Sequence, residues 1–143
     1  MNIFFDANAL IYLIEAKSSF AQQIKTEIQA VASAYPQAQL TVSRLSWLEC
    51  RVYPMKHQQV QILALYDEFF ASVDLVWVEL SAEVVEWATM LRAQYGLRTP
   101  DALQAASCLS LDSAHIFFTA DRGFHKVLGL NVHLLTGCHD EPV

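Results

Sequence analysis

The sequence predicts an α/β fold built on a mainly parallel central sheet, and three observations carry that expectation. Short, mostly apolar runs at Ile3-Phe4-Phe5, Leu40-Thr41-Val42, Leu75-Val76-Trp77-Val78, Ile116-Phe117-Phe118 and Val132-His133-Leu134-Leu135 read as strands covered on both faces. The stretches between them carry apolar residues at helical spacing. Only 4 Gly and 4 Pro occur in 143 residues, too few for a turn-rich all-β design. Apolar residues make up 54% and charged residues 17%, so the chain can bury a sizeable core as one domain.

Each element has its own signal. After the first strand, Leu10, Ile11, Leu13 and Ile14 mark a helix ending near Lys17. Phe20, Ile24, Ile28, Val31 and Tyr35 mark a second, capped by Ser18 or Ser19 and stopped by Pro36. A helix from about Ser43 to Val52 is expected to end before Pro54. Ile62, Leu65, Tyr66, Phe69, Phe70 and Val73 form a strongly amphipathic stripe. Ser81 opens a helix carrying Val84, Trp87, Ala88 and Leu91, and Gly96 closes it. Thr99-Pro100-Asp101 reads as a cap, a first-turn proline and a first-turn acid. The helix they open (Ala102, Leu103, Ala105, Ala106, Leu109) is small and apolar almost all round, so it is expected to be buried. Asp121 begins a short helix over Arg122–Val127, and residues 137–143 form a polar tail after a domain spanning 1–136.

Composition narrows the function classes. No apolar run approaches the roughly 18 residues that span a bilayer, and the first basic residue is Lys17, so neither a membrane anchor nor a signal peptide is expected. Cys50, Cys108 and Cys138 are too widely spaced for a zinc site or disulfide framework, which fits a reducing cytoplasm. With 9 Lys+Arg against 15 Asp+Glu the net charge is −6, which disfavours holding nucleic acid by bulk positive charge but not through metal ions. The five His residues show no metal-ligand spacing.

In an open parallel sheet, ligands bind outside the carboxyl ends of the strands. Asp6 follows the first strand, Asp121 follows the fourth, Asp101 sits in the first turn of the buried helix, and Glu49 lies on the helix after the second strand, able to point toward the same edge. Taken singly, each has an ordinary reading: Asp6 and Asp121 as helix caps, Asp101 as an acid favoured by the helix dipole, Glu49 as a solvated helix residue. Joint placement along one sheet edge is what suggests a shared acidic pocket.

The same residues carry a family resemblance. Asp6-Ala7-Asn8-Ala9-Leu10-Ile11-Tyr12 resembles the opening motif of PIN-domain nucleases, and Glu49 matches their second acid. Arg98-Thr99-Pro100-Asp101-Ala102-Leu103-Gln104-Ala105-Ala106 resembles their third block, and Phe118-Thr119-Ala120-Asp121-Arg122-Gly123-Phe124 their last. The order and spacing cover the chain from Asp6 to about Leu135, and the length and the R-T-P-D-A-L block are most similar to VapC-type toxins of toxin–antitoxin pairs. One departure is Gly123, where many relatives carry a further acid; four carboxylates remain, and the number of metal ions, one or two, stays open.

The resemblance implies a PIN-like three-layer α/β/α sandwich and a Mg²⁺- or Mn²⁺-dependent endoribonuclease, held by a cognate antitoxin and commonly a homodimer. Hard divalent ions suit carboxylate and water oxygens, and they activate water for phosphodiester hydrolysis. No Ser-His-Asp or Cys-His pattern offers a protein nucleophile instead. Asp6, Asp101 and Asp121 are the expected metal ligands, with Glu49 as ligand or as the group orienting the attacking water. Asn8 and Thr119 are candidates to hydrogen-bond those carboxylates, with Ser43 and Ser46 behind them. Arg98, Arg122 and Lys126 are candidates for phosphate contact, with plain surface solvation as the alternative. The 15 acids less these four leave 11 against 9 bases, so much of the negative charge belongs to the site itself. Packed together without metal, the four carboxylates are expected to raise one another's pKa. Three other readings stay open: a catalytically silent PIN-like binding module, a stand-alone RNA-processing nuclease, and a phosphotransfer fold. The last wants acids or a lysine where Asn8, Leu80-Ser81 and Leu135-Thr136 stand.

Overall fold

The structure, a computed structural model, describes residues 1–16 and 19–135. Five strands, β1 (Asn2–Phe5), β2 (Gln39–Ser43), β3 (Val76–Val78), β4 (His115–Thr119) and β5 (Val132–Leu134), form one sheet in the order β3-β2-β1-β4-β5. Every pairing is parallel, as the unbroken apolar runs predict. The helices are α1 (Ala7–Glu15), α2 (Ser19–Ala34), α3 (Arg44–Lys56), α4 (Val60–Phe70), α5 (Ala82–Tyr95) and α6 (Thr99–Leu109), followed by a 3₁₀ turn at Arg122–Lys126. The expected cap at Ser18 or Ser19 and the tail with Cys138 and His139 lie outside the described residues and side chains. Among the described residues no helix is long and apolar enough to cross a membrane.

The chain walks outward from β1 to β2 to β3, then returns past β1 to β4 and β5. Right-handed crossovers place the helices of the outward path on one face and those of the return path on the other. Two separate cores follow. Ile3, Phe5, Val42 and Phe118 pack with Leu10, Ile24, Cys50, Tyr66 and Phe70 of α1–α4. Phe4 and Phe117 pack with Val84, Leu91, Ala102, Ala105 and Cys108 of α5 and α6 and with Phe124 of the 3₁₀ turn. Side chains thus alternate across β1, and the parallel register stacks Phe4 on Phe117 and Phe5 on Phe118, each at 5.4 Å between ring centres. Every one of these four rings is fully buried, contributing on the order of 1.5–3 kcal/mol each.

Cys50 and Cys108 are buried free thiols, consistent with core packing. Trp47 and Trp77 pack on Phe70 at the edge of the first core, and Trp87 on the second.

Some element ends differ from the sequence expectation. Helix α3 runs through Pro54 to Lys56 rather than stopping at Val52. Ser46, Cys50 and Pro54 lie at i, i+4 and i+8 and are all buried, so packing one face on the core carries the helix past a residue that cannot donate to the Cys50 carbonyl. Helix α4 stops at Phe70, because Ser72 Oγ accepts the Asp74 N–H and turns the chain into β3; Val73 of the predicted stripe is 96% exposed. Ser81 and Gly96 bound α5 as expected, Ser81 accepting the Val84 N–H and Gly96 taking a positive φ of 68°. Thr99 is not the cap of α6: the cap position is Arg98, with no side-chain hydrogen bond.

Candidate active site

The topology reverses between β1 and β4, which are neighbours whose following segments diverge to opposite faces. Such a switch point opens a crevice at the carboxyl ends of the strands. Asp6 is the first residue beyond β1 and is only 5% exposed. One oxygen, Oδ1, accepts the Ala9 N–H at 2.9 Å and caps α1; the other, Oδ2, accepts the Thr119 hydroxyl at 2.6 Å. The cap expected from the sequence and the site acid are therefore the same carboxylate.

A cleft of about 150 Å³ opens there, lined by Asp6, Asn8, Glu49, Arg98, Pro100, Asp101 and Gln104. Three of the four predicted acids thus converge from α1's cap, the middle of α3 and the first turn of α6. Asp121 stands beside the cleft rather than in its wall. Its charge is felt at Asp6, while its Oδ1 accepts the Gly123 N–H at 2.8 Å and caps the 3₁₀ turn. A Cβ at position 123 would meet that same oxygen at 3.1 Å, so glycine there suits the capping geometry. Asn8 is an exposed part of the wall, and Thr119 is fully buried, donating to Asp6 and accepting the Asp121 N–H at 3.0 Å. Of the predicted basic residues, Arg98 lines the cleft; Arg122 and Lys126 are exposed on the 3₁₀ turn, outside the wall.

Burial, more than mutual repulsion, sets the electrostatics. The Asp6 carboxyl is pushed up to about 7, first by its removal from water and then by the charges of Asp101 and Asp121, against the lowering effect of Thr119 and the Ala9 N–H. The half-buried Glu49 is also raised by burial, with the Gln104 amide and the Arg98 charge opposing and Asp101 adding. Arg98 answers part of the negative charge: its Nε and Nη2 donate to Asp101 Oδ2 at 3.3 and 3.2 Å.

Sequence reasoning missed Gln104. Its Nε2 donates to Glu49 Oε1 and to Ser46 Oγ, both at 3.0 Å, and one turn on Ser107 donates to Ser43 Oγ at 3.0 Å. These five side chains form a polar seam between α3 and α6 inside an otherwise apolar layer, and Gln104 within it holds Glu49 at the cleft. Its signal was the two polar residues, Gln104 and Ser107, spaced i and i+3 within the alanine-rich helix. Ser43 and Ser46 belong to this seam rather than to the Asp6 side.

A buried acid with a raised pKa beside two further acids is an environment that favours a bound cation. Among the described residues no three carboxylates close into a ready metal cage. Hard divalent cations bind carboxylate oxygens and retain water at their other positions. Gln104 Oε1, buried and without a hydrogen-bond partner among the described residues, adds a further oxygen to the residues that line the cleft.

Comparison with known proteins agrees with the topology. A chain of the VapBC2 complex from Rickettsia felis, bound to a DNA fragment from their promoter, superimposes with a TM-score of 0.73 at 17% identity, over 95% of this chain and 100% of that one. A toxin–antitoxin complex from Klebsiella pneumoniae gives 0.67 at 23% identity, over 94% and 98%. VapBC-1 from nontypeable Haemophilus influenzae gives 0.65 at 19% identity, over 94% and 98%. No curated protein matches the chain in sequence. The PIN domain family model, however, matches residues 3–130, and the chain belongs to that family.

Proposed function

We propose that this PIN domain is a metal-dependent endoribonuclease, the VapC-type toxin of a type II toxin–antitoxin pair. The observation that carries the reading is the convergence of Asp6, Glu49 and Asp101 in one cleft at the sheet's switch point, with Asp6 buried and its carboxyl raised to about 7. The structural likeness to chains of VapBC complexes supports the toxin assignment and, with it, an antitoxin partner. The family resemblance is also the ground on which we propose a homodimer and a cytoplasmic location.

Asp6, Asp101 and, from the cleft's edge, Asp121 are the residues to hold Mg²⁺ or Mn²⁺. An ion held by these residues would supply activation of water for hydrolysis and relief of charge on the phosphoryl group. The chain's own groups do the rest. Thr119 fixes the Asp6 carboxylate and, through the Asp121 N–H, the turn that carries Asp121. Glu49, oriented by Gln104, accepts a proton from the attacking water or holds that water in line with the scissile bond. Arg98 offers its guanidinium to the phosphate; Arg122 and Lys126 extend the positive rim along the 3₁₀ turn. The test is cleavage of a labelled single-stranded RNA with Mg²⁺ or Mn²⁺ and with chelator. Metal-dependent internal cleavage is expected; no cleavage with either metal overturns the reading.

A further inference from the structure

Arg98 stands apart from the other paired arginines. Arg44 lies 3.9 Å over the Trp77 ring and grips Glu79 through Nε and Nη2, and Arg51 lies 4.0 Å over Trp47 and pairs with Asp67. Both are fixed by an aromatic face as well as an acid. The Arg98 guanidinium has a site acid as its partner and is 79% exposed, whereas Asp101 is 23% exposed. Its two donors crowd onto a single oxygen, Asp101 Oδ2, instead of forming a fork on both. Its charge also reaches Glu49. The backbone beneath is held: the Arg98 carbonyl accepts the Ala102 N–H at 2.8 Å, and Pro100 sits in the first turn of α6. The side chain can therefore swing into solvent without disturbing the helix or uncovering buried surface. Exposed ion pairs of this kind are weak enough to exchange.

We propose that Arg98 is an exchangeable counter-ion: it neutralises Asp101 while the cleft lacks a cation, yields Asp101 Oδ2 to a divalent cation, and then grips a non-bridging oxygen of the RNA phosphate. The inference rests on reading the cleft as a cation site acting on RNA. Its consequence is a coupling between the two ligands. The cation releases the group that binds the phosphate, so each tightens the other through one side chain. Without the exchange, Arg98 would stay committed to Asp101, and the cleft wall itself would offer the phosphate no free guanidinium.

The experiment compares wild type, Arg98→Ala and Arg98→Lys by calorimetric titration with Mn²⁺ in the absence of RNA, and by KM and kcat on a labelled single-stranded RNA. Arg98→Ala is expected to bind Mn²⁺ about two- to fivefold tighter, because a competing ion pair of modest strength is gone. The same variant is expected to raise KM for RNA about fivefold or more, the loss falling mainly on KM. Arg98→Lys, which keeps the charge but loses the two-donor grip, is expected between wild type and alanine on both measures. A gain on one ligand with a loss on the other is a result that a purely structural arginine would not give. Unchanged or weaker Mn²⁺ binding by Arg98→Ala overturns the counter-ion role, and an unchanged KM overturns the phosphate role, each leaving the nuclease reading intact. Absence of Mn²⁺ binding by the wild type overturns both.

Discussion

The two ends of the same five strands are built to opposite specifications. At the amino ends, a groove of about 800 Å³ runs between β2, β3 and the end of α4, lined by Leu40, Leu65, Phe69, Val73, Leu75 and Val76 with Glu68 and Asp74. At the carboxyl ends, a cleft of about 150 Å³ gathers Asp6, Glu49, Asp101 and Gln104. The larger space holds less chemistry. Reactivity here comes from taking charge out of water, and only the small cleft does so: Asp6 is nearly inaccessible yet carries a carboxyl that two neighbouring acids press upon. Size alone would direct attention to the wrong end of the sheet.

The largest expected contrast is catalytic. Asp101→Asn should reduce metal-dependent RNA cleavage by at least about 100-fold, while Glu68→Gln in the amino-end groove should leave it within about twofold. Comparable losses from both variants would erase the distinction between the two ends. Next in size is Thr119→Val, which strips one hydroxyl from both Asp6 Oδ2 and the Asp121 N–H. It should cost about 1–3 kcal/mol in urea denaturation and weaken Mn²⁺ affinity about tenfold.

The pH response sharpens the contrast further. A folded pKa of about 7 for Asp6 lies above the ordinary value of about 3.9 in the unfolded chain, so folding disfavours its ionised form. The penalty is full above pH 7 and fades as pH falls from 7 toward 4. The Asp6 contribution should therefore stabilise the metal-free chain on acidification. Divalent-ion affinity should decline over the same interval, because the ion needs the carboxylate. Denaturation with chelator from pH 8 to 5.5, for wild type and Asp6→Asn, isolates the effect: Asn, which keeps an oxygen for the Ala9 N–H, should flatten the Asp6-dependent slope and raise metal-free stability at pH 8 by about 1–3 kcal/mol. Equal slopes in the two proteins would contradict the buried-acid account. The smallest effect is expected of Gln104→Leu. It frees Glu49 from its donor but also removes an unpartnered buried oxygen, so activity should drop about tenfold with stability changed by less than about 1 kcal/mol in the same denaturation assay.

Much of this was legible in the residues. Unbroken apolar runs announce strands covered twice, and Ile3-Phe4-Phe5 and Ile116-Phe117-Phe118 are central in the sheet. Asp6 and Asp101 read singly as a cap and a first-turn acid; their joint position at one sheet edge and the motif resemblance are what brought them together, and both line one cleft. Less legible were features decided by partners far along the chain. Pro54 stays helical because Ser46, Cys50 and Pro54 share a buried face, which no local preference encodes. Gln104 looked like one polar residue in an alanine-rich helix until Ser46 and Glu49 came to meet it across 58 and 55 positions. Asp121 was placed at the right strand end, but its capping bond to Gly123 leaves it beside the cleft wall rather than within it.

The contact between Thr119 and Asp6 spans 113 positions and depends on β4 docking beside β1. During synthesis, every acid up to Asp101 is polymerised before the strand that clamps the first of them. A nascent polypeptide ending ahead of His115 thus holds three of the four proposed site acids and lacks the Thr119 hydroxyl that fixes Asp6. A cleavage assay on chains released at successive lengths should therefore show a threshold once Thr119 is included rather than a ramp.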